Sequence, residues 1–143
     1  MKYSLKLSDE PSELIRQAIL DPLVAYNNSM AGPHNHRTLV ISLEDGNEKC
    51  VGGLYGRTSY RWLFIELIFV AESMRGQGIG RELVQMAEKE AVQRKCHAVW
   101  LDTFEFQAKR FYEKLGYHTF GKTDDYPFGF SRYFLKKSLS KAV

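Results

Sequence analysis

The segment Arg75-Gly76-Gln77-Gly78-Ile79-Gly80-Arg81 has the composition of an anion-binding turn. Three glycines within five residues let backbone N–H groups approach a ligand without obstruction by Cβ atoms. A helix that begins here adds the positive end of its dipole, and the two flanking arginines add guanidinium groups that bind phosphate bidentately. The segment therefore predicts a phosphate-binding site. Glycine-rich turns also occur for tight packing alone, and the glycines by themselves leave that alternative open.

The residues on either side of the turn predict a strand and a helix that would hold it in place. Trp62 to Val70 is an apolar run rich in Ile, Leu and Phe, which is typical of a buried strand. Apolar residues from Leu83 to Ala91 then recur at helical spacing. The turn is not a Walker A loop, because no Gly-Lys-Ser/Thr follows, and its G-x-G-x-G spacing differs from the dinucleotide fingerprint G-x-G-x-x-G.

A second motif, Phe111-Tyr112-Glu113-Lys114-Leu115-Gly116-Tyr117, lies downstream of the turn. In this order and separation, the two motifs closely resemble those of the GNAT superfamily of N-acetyltransferases, and the resemblance covers about half of the chain directly. It implies an α+β fold, in which helices flank a mixed, mostly antiparallel sheet with a splayed central parallel strand pair. It also implies that acetyl-CoA is the acetyl donor.

The resemblance implies a role for each matching residue. The backbone of Ile68, Phe69 and Val70 would pair with the pantetheine arm, and one of their N–H groups would face the thioester carbonyl. The residues expected to hold the pyrophosphate are Arg75, Gly76, Gln77, Gly78, Ile79, Gly80 and Arg81. The Tyr112 hydroxyl would protonate the departing thiolate, although a purely structural tyrosine in the core is the alternative.

One position departs from the family pattern. Many members carry Asn three residues before the Ala that matches Ala108, where the Asn contacts the pantetheine arm. Here that residue is Glu105. Gln107 or backbone groups are the expected replacements for this contact.

A primary amine is mostly an ammonium ion at neutral pH, so a base must remove a proton before attack. Glu66 lies within the apolar run, and strand alternation would place it on the same face as Ile68 and Val70. A carboxylate there is costly to bury unless it is paired or useful, so Glu66 is the first candidate base and a structural salt bridge is the alternative. Asp102 is the second candidate base, and its alternative roles are to cap Thr103 or to bind the substrate.

Composition narrows the function classes. The 143 residues predict one domain over residues 1–143, and the net charge of +3 is spread along the chain, which argues against nucleic acid. No signal segment or apolar run of transmembrane length is present, so the expected location is cytoplasmic and no membrane association is expected. Cys50 and Cys96 are expected to be free thiols, and His34 and His36 supply too few ligands for a metal site.

The expected element order is β-α-β-β-β-α-β-α-β-β. Residues 2–7 alternate like a strand, Ser8 or Asp9 would cap the first helix, and Pro22 would kink or divide it. The other expected elements are a loop over 27–36, strands over 38–43, 50–55, 61–70, 97–103, 117–120 and 130–135, and helices that end near Arg94-Lys95 and at Gly116.

The sequence thus predicts an acetyl-CoA-dependent N-acetyltransferase that moves acetyl to a primary amine by direct attack, since neither cysteine is at an activated position. The amine could be a small molecule or a peptide, with Tyr126 to Phe128 and the acids Asp124 and Asp125 at the rim of its site or in a solvated turn.

Two alternative functions remain. One is a dinucleotide-binding domain, because Asp102 lies about 20 residues past the glycines; the other is a non-catalytic CoA-binding regulator. A homodimer through the C-terminal strands is compatible with the sequence, which does not establish one.

Overall fold

The computed structural model describes residues 1–139 and groups the chain into two compact units, residues 1–34 and the unit that begins at Asn35. No helix within residues 1–139 combines the length and the apolar character needed to cross a membrane. The prediction of one domain over residues 1–143 stays a prediction.

The first unit contains one helix, α1 (Glu13–Ala31). Ser12 caps it: the Ser12 hydroxyl accepts a hydrogen bond from the Ile15 N–H at 3.1 Å, which satisfies one of the free donors of the first turn. The predicted cap at Ser8 or Asp9 is therefore wrong. Pro22 lies inside a continuous helix, so it does not divide α1, and the alternative that it kinks the helix stays a prediction.

Two further expectations for this part of the chain fail. Residues 2–7 form no strand, because alternation alone does not make one without a hydrogen-bonded neighbour, and the six strands of the sheet do not include them. The predicted loop over residues 27–36 begins later than expected, since α1 continues to Ala31 and Gly32 ends it at φ +85°.

Within the described residues, the second unit is a six-stranded sheet with two α-helices and a short 3-10 helix over Glu72–Met74. Its strands lie in the spatial order β1-β2-β3-β4-β6-β5. Their bounds, with those of the helices, are β1 (Arg37–Glu44), β2 (Cys50–Ser59), β3 (Trp62–Val70), α2 (Ile79–Gln93), β4 (Ala98–Phe104), α3 (Lys109–Lys114), β5 (His118–Thr123) and β6 (Arg132–Ser138).

One pair of neighbouring strands, β3 and β4, is parallel, and all the other pairs are antiparallel. The parallel register runs only from Trp62–Ala98 to Ile65–Leu101. Beyond it, β3 continues to Val70 and β4 to Phe104 without pairing to each other, so the two strands part. The predicted α+β class, with a mostly antiparallel sheet and a splayed parallel pair, is confirmed.

A bulge in β3 lies where the strands part. Tyr55 of β2 is opposite Leu67 and Gly56 is opposite Ile65, which leaves Glu66 as an additional residue. A Cβ on Gly56 would lie 2.4 Å from the Phe64 carbonyl oxygen, so only glycine fits the close approach of the two strands here.

The core lies between the sheet and one face of α2. Leu83, Val84, Ala87 and Ala91 recur at helical spacing and are all buried. They pack with fully buried strand residues, among them Leu63, Val99, Leu101 and Leu135. Full burial of each large aliphatic side chain stabilises the fold by about 1.5–3 kcal/mol. This packing fixes the first turn of α2 relative to β3.

The last turn of α2 is fixed by Arg94. Its guanidinium donates to Glu90 at 2.7 Å, to the Thr38 carbonyl at 3.1 Å and to the Thr58 hydroxyl at 3.2 Å. Arg94 thus joins the end of α2 to the two neighbouring strands β1 and β2.

Candidate active site

A cavity of about 400 Å³ lies between the end of β3, the start of α2 and α3. Its walls include most of the residues that the sequence predicts for the cofactor, together with the predicted acid Tyr112. The lining residues are Ile68, Phe69, Val70, Met74, Arg75, Gly76, Gly78, Ile79, Gly80, Arg81, Ala108, Phe111 and Tyr112. Gln77 belongs to the same turn but does not line the cavity.

The turn before α2 presents a row of unpaired donors. Within residues 1–139, no backbone N–H from Gly76 to Arg81 donates to another residue, and the first bond of the helix joins the Glu82 N–H to the Gly78 carbonyl. Gly76 (φ +81°) and Gly78 (φ +80°) adopt left-handed conformations that turn the chain into the helix. Six consecutive N–H groups are thus available to an anion at the positive end of α2.

Two arginines add positive charge that no carboxylate of residues 1–139 neutralises. Arg75 donates through Nε to the Val70 carbonyl at 2.8 Å, and its guanidinium lies 5.5 Å from the centre of the Phe69 ring. Arg81 is exposed at the start of α2. Together with the row of N–H groups, these side chains make the mouth of the cavity electropositive.

One edge of β3 is open along the cavity. Ile68, Phe69 and Val70 pair with β2 on one side, but the pairing with β4 on the other side stops at Ile65. An extended ligand can add to such an edge as an additional strand. The Val70 carbonyl already accepts a hydrogen bond from Arg75, so it has less capacity to bind a ligand than the edge groups before it.

Tyr112 lies on α3 and is 4% exposed. Its ring makes an edge-on contact with Tyr117 at 5.8 Å, and its hydroxyl forms no hydrogen bond with any residue of the described range. Burial, with a smaller contribution from the negative charge of Asp102, raises the pKa of Tyr112 to about 12. The phenol therefore keeps its proton at neutral pH and can act as a donor at the cavity wall.

Glu66 does not lie where strand alternation predicts. The bulge interrupts the alternation at Glu66, so this residue does not share the face of Ile68 and Val70, which pack against the core. Instead, its half-exposed carboxylate pairs with Arg57 at 3.4 Å, and Arg57 stacks on the Phe64 ring. Glu66 is absent from the lining of the Tyr112 cavity.

Asp102, the second candidate base, is bound by Arg132. Arg132 donates to the same carboxylate oxygen through Nε at 2.9 Å and through a terminal nitrogen at 2.6 Å. One carboxylate oxygen of Asp102 is therefore occupied by Arg132 and is not free to bind a substrate proton. No local pattern indicates this pair, because its members come from different strands and meet only when β4 pairs with β6.

Glu105 and Gln107 stabilise the segment between β4 and α3. The Glu105 carboxylate accepts from the Ser131 N–H at 2.8 Å. The Gln107 side-chain oxygen accepts from the Phe104 N–H at 2.9 Å, while its amide nitrogen donates to no described residue. A second cavity of about 430 Å³ contains Gln107 on its wall and shares Ala108 and Phe111 with the first.

Sequence reasoning did not identify Met74, Ala108 and Phe111 as residues that line the cavity. Phe111 packs directly against the turn, because a Cβ on Gly80 would lie 3.3 Å from its ring. The third glycine of the turn therefore makes room for the aromatic residue that precedes Tyr112 and brings the two motifs together.

Comparison with known proteins agrees with this geometry. The family model described as the Acetyltransferase (GNAT) family matches residues 6–117. Acetyltransferase Atu2258 of Agrobacterium fabrum is 40% identical over 131 residues, which cover 92% of this chain and 96% of that protein. Blasticidin-S acetyltransferase of Streptomyces morookaense is 36% identical over 89 residues, 62% of this chain and 65% of that protein.

Among solved structures, this chain matches the crystal structure of an Agrobacterium tumefaciens protein described as an acetyltransferase. The TM-score is 0.88 and the identity 39%, and the match covers 95% of this chain and 99% of that one. The glycine-rich turn, the parted strands and the buried tyrosine thus occur together in a chain whose relatives are named acetyltransferases. The chain belongs to the GNAT family of acetyltransferases.

Proposed function

We propose that this protein transfers the acetyl group of acetyl-CoA to a primary amine by direct attack of the amine on the thioester. The observation that carries the proposal is the single cavity that combines the row of N–H groups, the open edge of β3 and the Tyr112 phenol. The names of the relatives, one of them a blasticidin-S acetyltransferase, support acetyl transfer.

The residues present fit acetyl-CoA. The N–H groups from Gly76 to Arg81, with the Arg75 and Arg81 guanidinium groups, suit the pyrophosphate, because they are unpaired donors and uncompensated charges at a helix N-terminus. The open edge of β3 from Ile68 to Val70 suits an extended arm that carries amide groups. The free amide nitrogen of Gln107 takes the place of the Asn found in many relatives.

The bound thioester supplies an activated acetyl group. A backbone N–H of the Ile68–Val70 segment stabilises the negative charge that develops on the carbonyl oxygen, a contribution of about 3 kcal/mol to the barrier. The Tyr112 hydroxyl donates its proton to the departing sulfur atom. The Glu66 carboxylate takes the ammonium proton through water, since its side chain is half-exposed and does not reach into the cavity.

Direct attack is favoured because no thiol lines the cavity. Burial raises the pKa of the Cys96 thiol, which makes it a poor nucleophile, and Cys50 lies at the exposed start of β2. Initial-rate measurements with both substrates varied should therefore give intersecting double-reciprocal lines. Parallel lines would indicate an acetylated enzyme and would contradict the proposal.

Ligand binding tests the donor. Acetyl-CoA at about 100 times its Kd should stabilise the folded protein by about 2.7 kcal/mol, whereas NAD should not stabilise it. Arg81→Gln should raise the Kd about tenfold, because it removes a charge that faces the pyrophosphate. Lys89→Gln, which removes a charge farther along the same helix, is the matched control. Stabilisation by NAD alone would support the dinucleotide-binding alternative.

Turnover distinguishes an enzyme from a regulator that only binds CoA. Release of CoA should depend on an added primary amine, and Glu66→Gln should lower kcat most at low pH, where proton removal is hardest. Binding of acetyl-CoA without CoA release across a broad amine panel would leave the regulator as the explanation. A Glu66→Gln variant with an unchanged pH–rate profile would exclude Glu66 as the base.

A further inference from the structure

Four aromatic side chains form a surface cluster, the aromatic rim, where β4 ends and β6 begins. Its members are Phe104, Phe106, Tyr126 and Phe130. Phe106 is 57% exposed, Tyr126 52% and Phe130 44%. Exposed aromatic residues that cluster in this way are typical of binding surfaces rather than of ordinary surface.

Contacts between the rings give the rim a defined shape. Phe104 stacks on Phe106 with ring centres 5.3 Å apart, and Phe106 meets Phe130 edge-on at 5.0 Å. The Arg132 guanidinium lies between two rings, 4.1 Å from the centre of Tyr126 and 4.8 Å from that of Phe104. The rim therefore presents ring edges and faces in fixed orientations.

Hydrogen bonds hold the loop that carries half of the rim. The Glu105 N–H donates to the Ser131 carbonyl, and the Ser131 N–H donates back to the Glu105 carboxylate. The Ser131 hydroxyl donates to Asp124 at 2.9 Å, and the Gly129 N–H donates to Asp125 at 3.0 Å. A surface ordered before binding avoids part of the entropic cost of binding.

The rim adjoins the proposed reaction centre through Asp102. Asp102 binds Arg132, which lies between two rings of the rim. The segment that carries Phe104 and Phe106 continues directly into Ala108, which lines the Tyr112 cavity. Asp102 and Phe104 are two positions apart on β4 and so about 6.6 Å apart along the strand. Of the four carboxylates beside the rim, Asp102 pairs with Arg132 and Asp124 with Lys122. Glu105 and Asp125 accept backbone hydrogen bonds and form no ion pair within residues 1–139, so their negative charge favours a cationic ligand.

We propose that the acceptor is a primary amine joined by a short linker to a flat aromatic ring. The ring packs against Phe106 and Phe130, and the ammonium group lies toward Asp102 and Tyr112. This inference rests on the proposed acetyl transfer to an amine, and it names the class of amine. Aromatic pairs of this geometry contribute beyond their buried area, so an aromatic ligand gains more here than an aliphatic one of equal size.

Steady-state kinetics with matched amines test the proposal. Phenethylamine and tryptamine are compared with 2-cyclohexylethylamine and n-hexylamine, at saturating acetyl-CoA. The expected kcat/KM is at least tenfold higher for the aromatic amines. In the double variant Phe106→Ala/Phe130→Ala, the ratio of aromatic to aliphatic kcat/KM should fall toward one. The control is Phe120→Ala, which removes an equally exposed ring on β5 outside the rim and should keep the ratio.

The outcomes separate this inference from the proposed function. Equal kcat/KM for aromatic and aliphatic amines, or turnover of the aliphatic amines with none of any aromatic amine, would overturn the aromatic acceptor. A ratio that survives in the double variant would also overturn it, as would a dimer in sedimentation that the double variant converts to monomer, since the rim would then bind a second copy. Failure of the proposed function would appear differently, as the absence of acetyl-CoA binding or as the absence of CoA release with every amine, the aliphatic ones included. Melting temperature and acetyl-CoA Kd of each variant report whether it is folded.

Discussion

Replacement of Tyr112 by phenylalanine removes a single hydroxyl from the cavity wall and provides a sharp test of the proposed mechanism. That hydroxyl has no hydrogen-bond partner in the described residues, so its loss should change the free energy of unfolding by less than about 0.5 kcal/mol. General acids accelerate reactions by about 10²- to 10⁴-fold. With a pKa of about 12, the phenol is a weaker acid than a thiol of pKa about 8.5, which places its contribution at the lower end of that range. We therefore expect kcat to fall about 100-fold, or about 2.7 kcal/mol in barrier.

The neighbouring ring of Tyr117 provides the matched control. Its hydroxyl donates to Glu88 at 2.7 Å, and Lys137 donates to the same carboxylate at 3.0 and 3.1 Å. Tyr117→Phe should therefore cost about 1.5 kcal/mol of stability, equivalent to about 5 °C in Tm for a chain of this length. Its kcat should stay within about twofold, because the hydroxyl points to α2 and not to the cavity.

Each variant is assayed for CoA release with a thiol reagent, for acetyl-CoA Kd by calorimetry and for Tm by calorimetric scanning. The expected pattern is crossed: Tyr112→Phe loses turnover and keeps stability, while Tyr117→Phe loses stability and keeps turnover. Turnover of Tyr112→Phe within threefold of the parent would refute the role of Tyr112 as the acid. A fall in both turnover and Tm for Tyr112→Phe would show that the hydroxyl has a structural role.

Three other predictions concern stability. Gly78→Ala should lower the free energy of unfolding in urea by about 1–2 kcal/mol, because a residue with a Cβ is strained at the left-handed φ of this position, even though nothing lies near the added atom. Gly46→Ala, at a position where φ is not left-handed, should be close to neutral. Equal costs for the two substitutions would contradict this reasoning. Arg94→Ala should lower the free energy of unfolding by about 2 kcal/mol, because it leaves polar groups of two strands without their donor. Arg94→Lys should restore part of this stability. A neutral Arg94→Ala would show that these hydrogen bonds contribute little. Above pH 10, unfolded tyrosines lose protons that buried Tyr112 retains to about pH 12, so stability should fall by about 1.4 kcal/mol per pH unit for this group, and Tyr112→Phe should flatten that slope.

Local chemistry was predictable from the sequence, and long-range geometry was not. The turn from Arg75 to Arg81 carries its conformation in its own glycines, so the sequence identified it directly. The direction of Glu66 failed because the bulge arises from pairing with β2, which no local pattern reveals. The Asp102–Arg132 pair was missed for the same reason, since 30 residues separate its members. The first cap was misplaced because Ser8, Asp9 and Ser12 all have capping side chains, and only the geometry selects Ser12.

The brief contact between β3 and β4 has a consequence for how the protein responds to its ligand. Only four residue pairs of parallel backbone pairing join the half-sheet of β1, β2 and β3 to the half-sheet of β4, β6 and β5 in the described residues. A ligand that lies along β3 beyond Ile65 would bind the backbone groups that β4 leaves unpaired. Amide protons of the open edge should therefore exchange with solvent quickly in the empty protein and slowly in the loaded one, which makes them the natural reporters of occupancy.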